Sequence, residues 1–173
     1  MLRVLEVFFT NPSKEHYLMD VSRTTKIAHT SVKKNLSELL KQGIIKQELQ
    51  KKGKRKFPVY KAKINYKVFR KYKALYNLTS LLESGLIDIL EEKLTPKSIV
   101  VFGSYTRGED NEESDIDIFV ETIEEKIDVS MFEKKLNRKI QLHFKEDFTN
   151  YPKELKNNII NGIVLQGFLE GYK

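Results

Sequence analysis

Two acidic residues spaced by one position on a short apolar run, Ser114-Asp115-Ile116-Asp117-Ile118-Phe119-Val120, constrain this chain more than any other feature. In a strand, side chains at i and i+2 share a face, so Asp115 and Asp117 stand side by side while Ile116, Ile118 and Val120 bury the other face. Carboxylates that close repel each other unless a cation lies between them. A hard, oxygen-seeking ion such as Mg²⁺ (or Mn²⁺) resolves the conflict, and it arrives with the phosphates of a nucleotide. Upstream, Ser98-Ile99-Val100-Val101-Phe102 reads as a strand that runs into Gly103-Ser104, eleven positions before Asp115 when counted from Ser104. A strand-to-helix turn of that kind offers backbone N–H groups and a hydroxyl on which a phosphate can rest.

An apolar strand, Gly-Ser, Arg-Gly, a short loop and Ser-Asp-x-Asp together resemble the DNA polymerase β-type nucleotidyltransferase superfamily, and within it the minimal nucleotidyltransferases. The matching residues are Gly103, Ser104, Arg107, Gly108, Ser114, Asp115 and Asp117, with Thr106 where the family usually has alanine. The resemblance implies a mixed β-sheet flanked by helices over residues 95–173. It also implies transfer of a nucleoside monophosphate from a metal-bound NTP to an acceptor hydroxyl, releasing pyrophosphate. Asp115 and Asp117 would be the catalytic metal ligands, and Gly103, Ser104, Arg107 and Ser114 the nucleotide contacts. For Arg107, a salt bridge to the acidic loop Glu109–Glu113, itself read as a solvated turn, is an equal alternative.

One departure matters. The family's third strand commonly carries a further carboxylate two positions after an Arg-Lys pair. Aligned on Arg138-Lys139-Ile140, that position is Gln141, whose amide can neither take a proton nor neutralise a divalent charge. Glu146 and Asp147 are the nearest acidic substitutes in the chain. His143 has the strand parity of Gln141 and can face the same cleft, although a lone strand histidine is more often structural. His16 and His29 have no metal-like spacing. The same family includes antibiotic-modifying enzymes and antitoxin-type members that act on a toxin-like partner, so an impaired, regulatory version stands as the alternative function.

Charge divides the chain. Residues 1–64 carry 15 Lys+Arg against 5 Asp+Glu, a net of +10, whereas 65–173 carry 16 against 19, a net of −3, giving +7 in all. Such asymmetry points to a nucleic-acid-binding front end. Apolar spacing predicts helices at about 2–10, 18–25 and 29–40, the third with Val32, Leu36, Leu39 and Leu40 buried and Gly43 at its end. Two strands follow around a basic turn, Lys51–Lys56, with five basic residues in six positions. Three helices and a basic hairpin resemble a winged helix-turn-helix domain over residues 1–64. That resemblance implies double-stranded DNA as partner. Thr30, Ser31, Lys33, Lys34 and Ser37 would enter the major groove, and Lys51, Lys52, Lys54 and Arg55 would meet phosphates.

Residues 65–94 read as a helical connector broken at Ser84-Gly85, with Val68, Tyr72, Leu75, Leu78 or Thr79, Leu82, Leu86, Ile89 and Leu90 at three- and four-residue spacing. Tyr66, Phe69, Tyr72 and Tyr76 read as core or interface residues rather than a base-stacking platform. A segment placed there can join two subunits, since twofold DNA sites favour a homodimer. A last helix from Pro152 or Lys153 is expected to bring Leu155, Ile159, Ile160, Ile163 and Val164 onto the sheet. The fold class is therefore α+β. Zero cysteine removes disulfides and thiolate metal sites and suits a cytoplasmic address, and no apolar run is long enough for a membrane span. The abundance of Lys, Glu and Ile is a compositional hint of a thermophile.

Overall fold

The computed structural model describes residues 1–170. The chain divides into two compact units, Met1–Lys73 and Ala74–Lys173, with the division falling inside one helix.

The first unit begins with α1 (Leu2–Thr10), α2 (Leu18–Thr25) and α3 (His29–Lys41), followed by a hairpin of β1 (Ile45–Lys52) and β2 (Arg55–Ala62). Val4, Leu5, Phe8, Phe9, Val21, Val32, Leu36 and Leu39 are buried, so each helix contributes one apolar stripe to a common core. His16 and Tyr60 exchange backbone hydrogen bonds as an isolated bridge at 2.9 and 2.8 Å, which ties the α1–α2 connection to the hairpin. The hairpin turn is narrower than expected. Lys51 and Lys52 pair with Lys56 and Arg55 in the ladder, leaving only Gly53 and Lys54 between the strands. Opposed lysines are tolerated there because every one of them is exposed.

Next come α4 (Lys67–Ser84) and α5 (Leu86–Leu94), separated by Gly85 in the left-handed region. The buried face of α4 is not its most apolar one. Phe69, Lys73, Asn77, Leu81 and Ser84 are buried, while Val68, Tyr72, Leu75 and Leu82 are exposed. Of the four aromatic residues, Phe69 is the one in the core, against Phe9 at a ring separation of 5.3 Å. Asn77 can turn inward because its amide donates to the Tyr105 carbonyl and the Asp110 carboxylate at 2.8 and 2.7 Å.

The second unit is built on a four-stranded sheet of order β5-β4-β3-β6. Its strands are β3 (Ser98–Phe102), β4 (Ile116–Val120), β5 (Ile140–Phe144) and β6 (Ile163–Gly167), with α6 (Ser104–Arg107), α7 (Ser130–Leu136) and α8 (Lys153–Ile160) between them. β4 pairs antiparallel with β3 and parallel with β5, so the sheet is mixed. One face, with Ile99, Val101, Ile116, Ile118, Val120 and Ile140, packs on Leu81, Leu86, Ile87, Leu90, Leu94 and Phe132. The other, with Val100, Phe102 and Phe119, is covered by Phe148 and Ile159.

The C-terminal end departs from expectation. α8 stops at Ile160, which is exposed, and Ile163 and Val164 belong to β6, antiparallel to β3. After the break at Asn161-Gly162 the run Ile-Val-Leu suits a pleated strand, and β3 has an edge to pair with.

Candidate active site

The site lies where the second, covered face of the sheet runs out of cover. Alternation along β4 sends Ile116, Ile118 and Val120 into the core and Asp117 and Phe119 to the opposite side, while Asp115, just before the strand, meets Gln141. Phe119 is buried under Phe148 at a ring separation of 5.6 Å, whereas Asp115 and Asp117 remain half-buried at the open end.

Gly103 sets the floor. Phe102 pairs with Asp117 across β3 and β4, and the chain then turns at Gly103 with φ +81° and ψ −156°, a conformation confined almost entirely to glycine. A Cβ on Gly103 would come within 2.8 Å of Asp117 Oδ2, so the absent side chain is what leaves room for the carboxylate. α6 is a single turn, closed by a hydrogen bond from Thr106 Oγ1 to the Gly103 carbonyl at 2.9 Å. Thr106 thus braces the turn.

β5 supplies the other wall. Its parallel register sets Asp117 opposite Gln141 and Phe119 opposite His143. The Gln141 amide donates to Asp115 Oδ2. His143 Nε2 lies 3.0 Å from Asp117 Oδ1, with its ring against Phe102 at 5.2 Å. Each aspartate therefore has a partner on β5.

Arg107 is exposed and pairs with Glu109 at 2.9 Å. Ser114 closes a tight turn with Asn111, accepting from its backbone N–H at 3.0 Å and donating to its side chain at 3.2 Å. Asp147 is not spare: its carboxylate accepts from the Thr149 N–H and hydroxyl at 2.9 and 2.6 Å, capping the 3₁₀ turn Phe148–Asn150.

Sequence reasoning missed a buried polar frame behind the site. Asp110, in the loop expected to be a solvated turn, is 3% exposed. It accepts from Asn77 and faces Arg138 Nη2 at 3.6 Å, with both side chains buried. Tyr105 donates its hydroxyl to the Asn77 carbonyl at 3.1 Å, and burial pushes its phenol far above the ordinary tyrosine range, so it stays a donor. Glu121 is a second buried acid, accepting from the Ser98 hydroxyl at 2.8 Å and the Phe148 N–H at 3.3 Å. Nothing local marks either acid as buried, because all these partners lie 23 to 33 residues away.

The donors present suit a hard divalent ion. Asp115 and Asp117 are oxygen ligands on one face, and the cradle beside Asp117 would be filled by any Cβ at Gly103. Among the described residues, no group of three or more His, Asp or Glu side chains is already gathered around one point.

In the first unit, Thr30, Ser31, Lys33, Lys34 and Ser37 are all exposed on α3, and Lys51, Lys52, Lys54 and Arg55 are exposed at the hairpin end. Lys52 Nζ sits 4.3 Å from the centre of the Tyr17 ring, and contact with the Tyr17 hydroxyl raises its pKa. Lower on the hairpin, Lys61 bridges Glu15 and Glu48 at 2.7 and 2.8 Å, which neutralises that end and leaves the positive charge at the tip. His16 Nε2 is 3.0 Å from the Asn11 carbonyl. Among the described residues, no helix is long and apolar enough to cross a membrane.

Comparison with known proteins agrees with the second unit. Residues 83–165 match the family described as nucleotidyltransferase domain. Three chains of Methanocaldococcus jannaschii, provisionally named protein adenylyltransferases, also match. MJ1379 is 67% identical over 33 residues, 19% of this chain and 33% of the relative. MJ0128 is 61% identical over 36 residues (21% and 37%), and MJ1215 is 60% identical over 35 residues (20% and 41%). The matched segments span between a third and two fifths of those relatives' length. No solved structure matches. The stretch that matches the nucleotidyltransferase domain family, residues 83–165, holds every residue of the Gly-Ser and Asp-x-Asp constellation.

Proposed function

We propose that residues 95–173 bind a nucleoside triphosphate with a divalent ion, Mg²⁺ or Mn²⁺, and transfer its nucleoside monophosphate to an acceptor hydroxyl. The observation that carries this reading is the pair Asp115 and Asp117 on the open side of the central strand, against a glycine turn whose missing Cβ makes room for Asp117. A bound divalent ion supplies charge neutralisation at the triphosphate and at the developing leaving group. Asp115 and Asp117 hold that ion. The backbone at Gly103 and the Ser104 hydroxyl hold terminal phosphates, Ser114 fixes the approach to Asp115, and Arg107 exchanges Glu109 for phosphate. The provisional name of the relatives suggests ATP as donor and a protein hydroxyl as acceptor, of the kind a toxin-like partner would offer.

Residues 1–64 act in this proposal as a winged helix-turn-helix module on double-stranded DNA. Residues 65–94 connect it to the transferase domain and carry a homodimer contact. What supports it is the exposed row of hydroxyls and lysines on α3 and the cluster of exposed basic residues at the hairpin tip.

A second reading is favoured by one observation. Gln141, which the sequence aligns with the third carboxylate, donates a hydrogen bond to Asp115, and this suits nucleotide binding without transfer in a DNA-bound regulator or antitoxin-type protein. The two readings separate on incubation with labelled NTPs, divalent ion and a lysate. The enzyme reading expects label on an acceptor and none with Asp115→Ala plus Asp117→Ala. A silent wild type that Gln141→Asp switches on supports the regulator, and label that survives the double variant refutes the enzyme.

A further inference from the structure

His143 brings to the site an imidazole, which neither aspartate nor glutamine duplicates. Resting on the metal-nucleotide reading above, we propose that His143 Nε2 is a ligand of the divalent ion, filling the donor place that Gln141 leaves neutral and turning the site's preference from Mg²⁺ toward Mn²⁺. Three observations lead there. Nε2 lies 3.0 Å from Asp117 Oδ1, and two adjacent ligands of an octahedral ion, each about 2.1 Å from it, are themselves about 3 Å apart. The imidazole is held rather than loose, since the Phe102 ring lies 5.2 Å from it. Its side chain is 24% exposed, so it reaches the open end of the cleft rather than the core.

Gln141 cannot take this role as well. Its amide nitrogen is engaged by Asp115, and its amide oxygen is a weak neutral donor. The donor set then becomes two carboxylates and one imidazole. Carboxylates and water suit Mg²⁺ and Mn²⁺ alike, but an imidazole nitrogen adds affinity for the transition metal and little for Mg²⁺. His143 Nε2 would then exchange its contact with Asp117 for the ion. Asp117 and His143 are brought into position by β4 and β5.

The test is electron spin echo spectroscopy of Mn²⁺ on the full chain, with and without α,β-methylene-ATP. Wild type is expected to show nitrogen modulation from a directly bound imidazole, changing character when the protein carries ¹⁵N-histidine, a control that alters no atom's chemistry. His143→Asn is expected to lose the modulation, and the Mg²⁺ concentration needed to displace half the Mn²⁺ should fall about tenfold or more. His143→Gln, which keeps more of the packing on Phe102, should behave alike. Mn²⁺ that depends on Asp115 and Asp117 but shows no nitrogen coupling overturns the His143 assignment and leaves the metal-nucleotide reading standing. Mn²⁺ bound no better by wild type than by Asp115→Asn plus Asp117→Asn overturns both.

Discussion

Replacing Gly103 with alanine tests the geometry of the site at its tightest point. The backbone there, at φ +81° and ψ −156°, is a region that costs a non-glycine residue on the order of 1–3 kcal/mol. The new Cβ would also lie 2.8 Å from Asp117 Oδ2, a far end that can rotate away only by giving up its contact with His143. That half-exposed contact adds on the order of 0.5–1 kcal/mol. The sum, about 1.5–4 kcal/mol, lowers the melting temperature of a unit of this size by about 6–30 °C. Calorimetry on the full chain reads it, and Gly85→Ala is the control. Gly85 also has a positive φ, +83°, but nothing lies within 4 Å of its added Cβ. Both variants should melt early, whereas only Gly103→Ala should lose Mn²⁺ and nucleotide binding, by tenfold or more. A Gly103→Ala protein that melts with wild type, or binds both ligands normally, refutes the cradle.

Three further outcomes are expected. Asp110→Ala leaves the Arg138 guanidinium buried without that carboxylate and should destabilise the second unit by about 3–5 kcal/mol in urea unfolding, while a change under about 1 kcal/mol would show the pair to be solvated. Glu48 is drawn down to about 2 by its hydrogen bonds with Lys46 and Lys61, so its contribution to stability is present above the ordinary carboxylate pKa and is lost as pH falls toward 2; NMR titration of Glu48 should show this, and Lys61→Ala should return the midpoint toward the ordinary value. DNA affinity should fall steeply with salt, and neutralising Lys51, Lys52, Lys54 and Arg55 should flatten the slope by up to about four counterions; an unchanged slope removes the hairpin from the DNA contact.

The acidic pair, the Gly-Ser turn and the bounds of α1 to α3 were legible because each rests on local chemistry: alternation, a turn residue, an apolar stripe. The face of α4 was not. Its apolar stripe, Val68, Tyr72, Leu75 and Leu82, points outward, because Asn77 on the other side meets Tyr105 and Asp110 from distant parts of the chain. Asp110 looked like one more acid in a polar loop for the same reason. β6 was read as helix because Ile159, Ile160, Ile163 and Val164 fit a helical stripe, and only the free edge of β3 decides otherwise. His143 was placed in the right cleft by strand parity, but its contact with Asp117 depends on the β4–β5 register, which no single stretch of sequence contains.

The most direct measurement is calorimetric titration of α,β-methylene-ATP into the full chain with Mn²⁺, set beside Asp115→Asn and Asp117→Asn. Saturable one-site binding that needs the ion and weakens at least tenfold in each variant is the result expected. Equal binding by wild type and both variants, or none by any of them, contradicts the claim that these two carboxylates hold a metal-bound nucleotide.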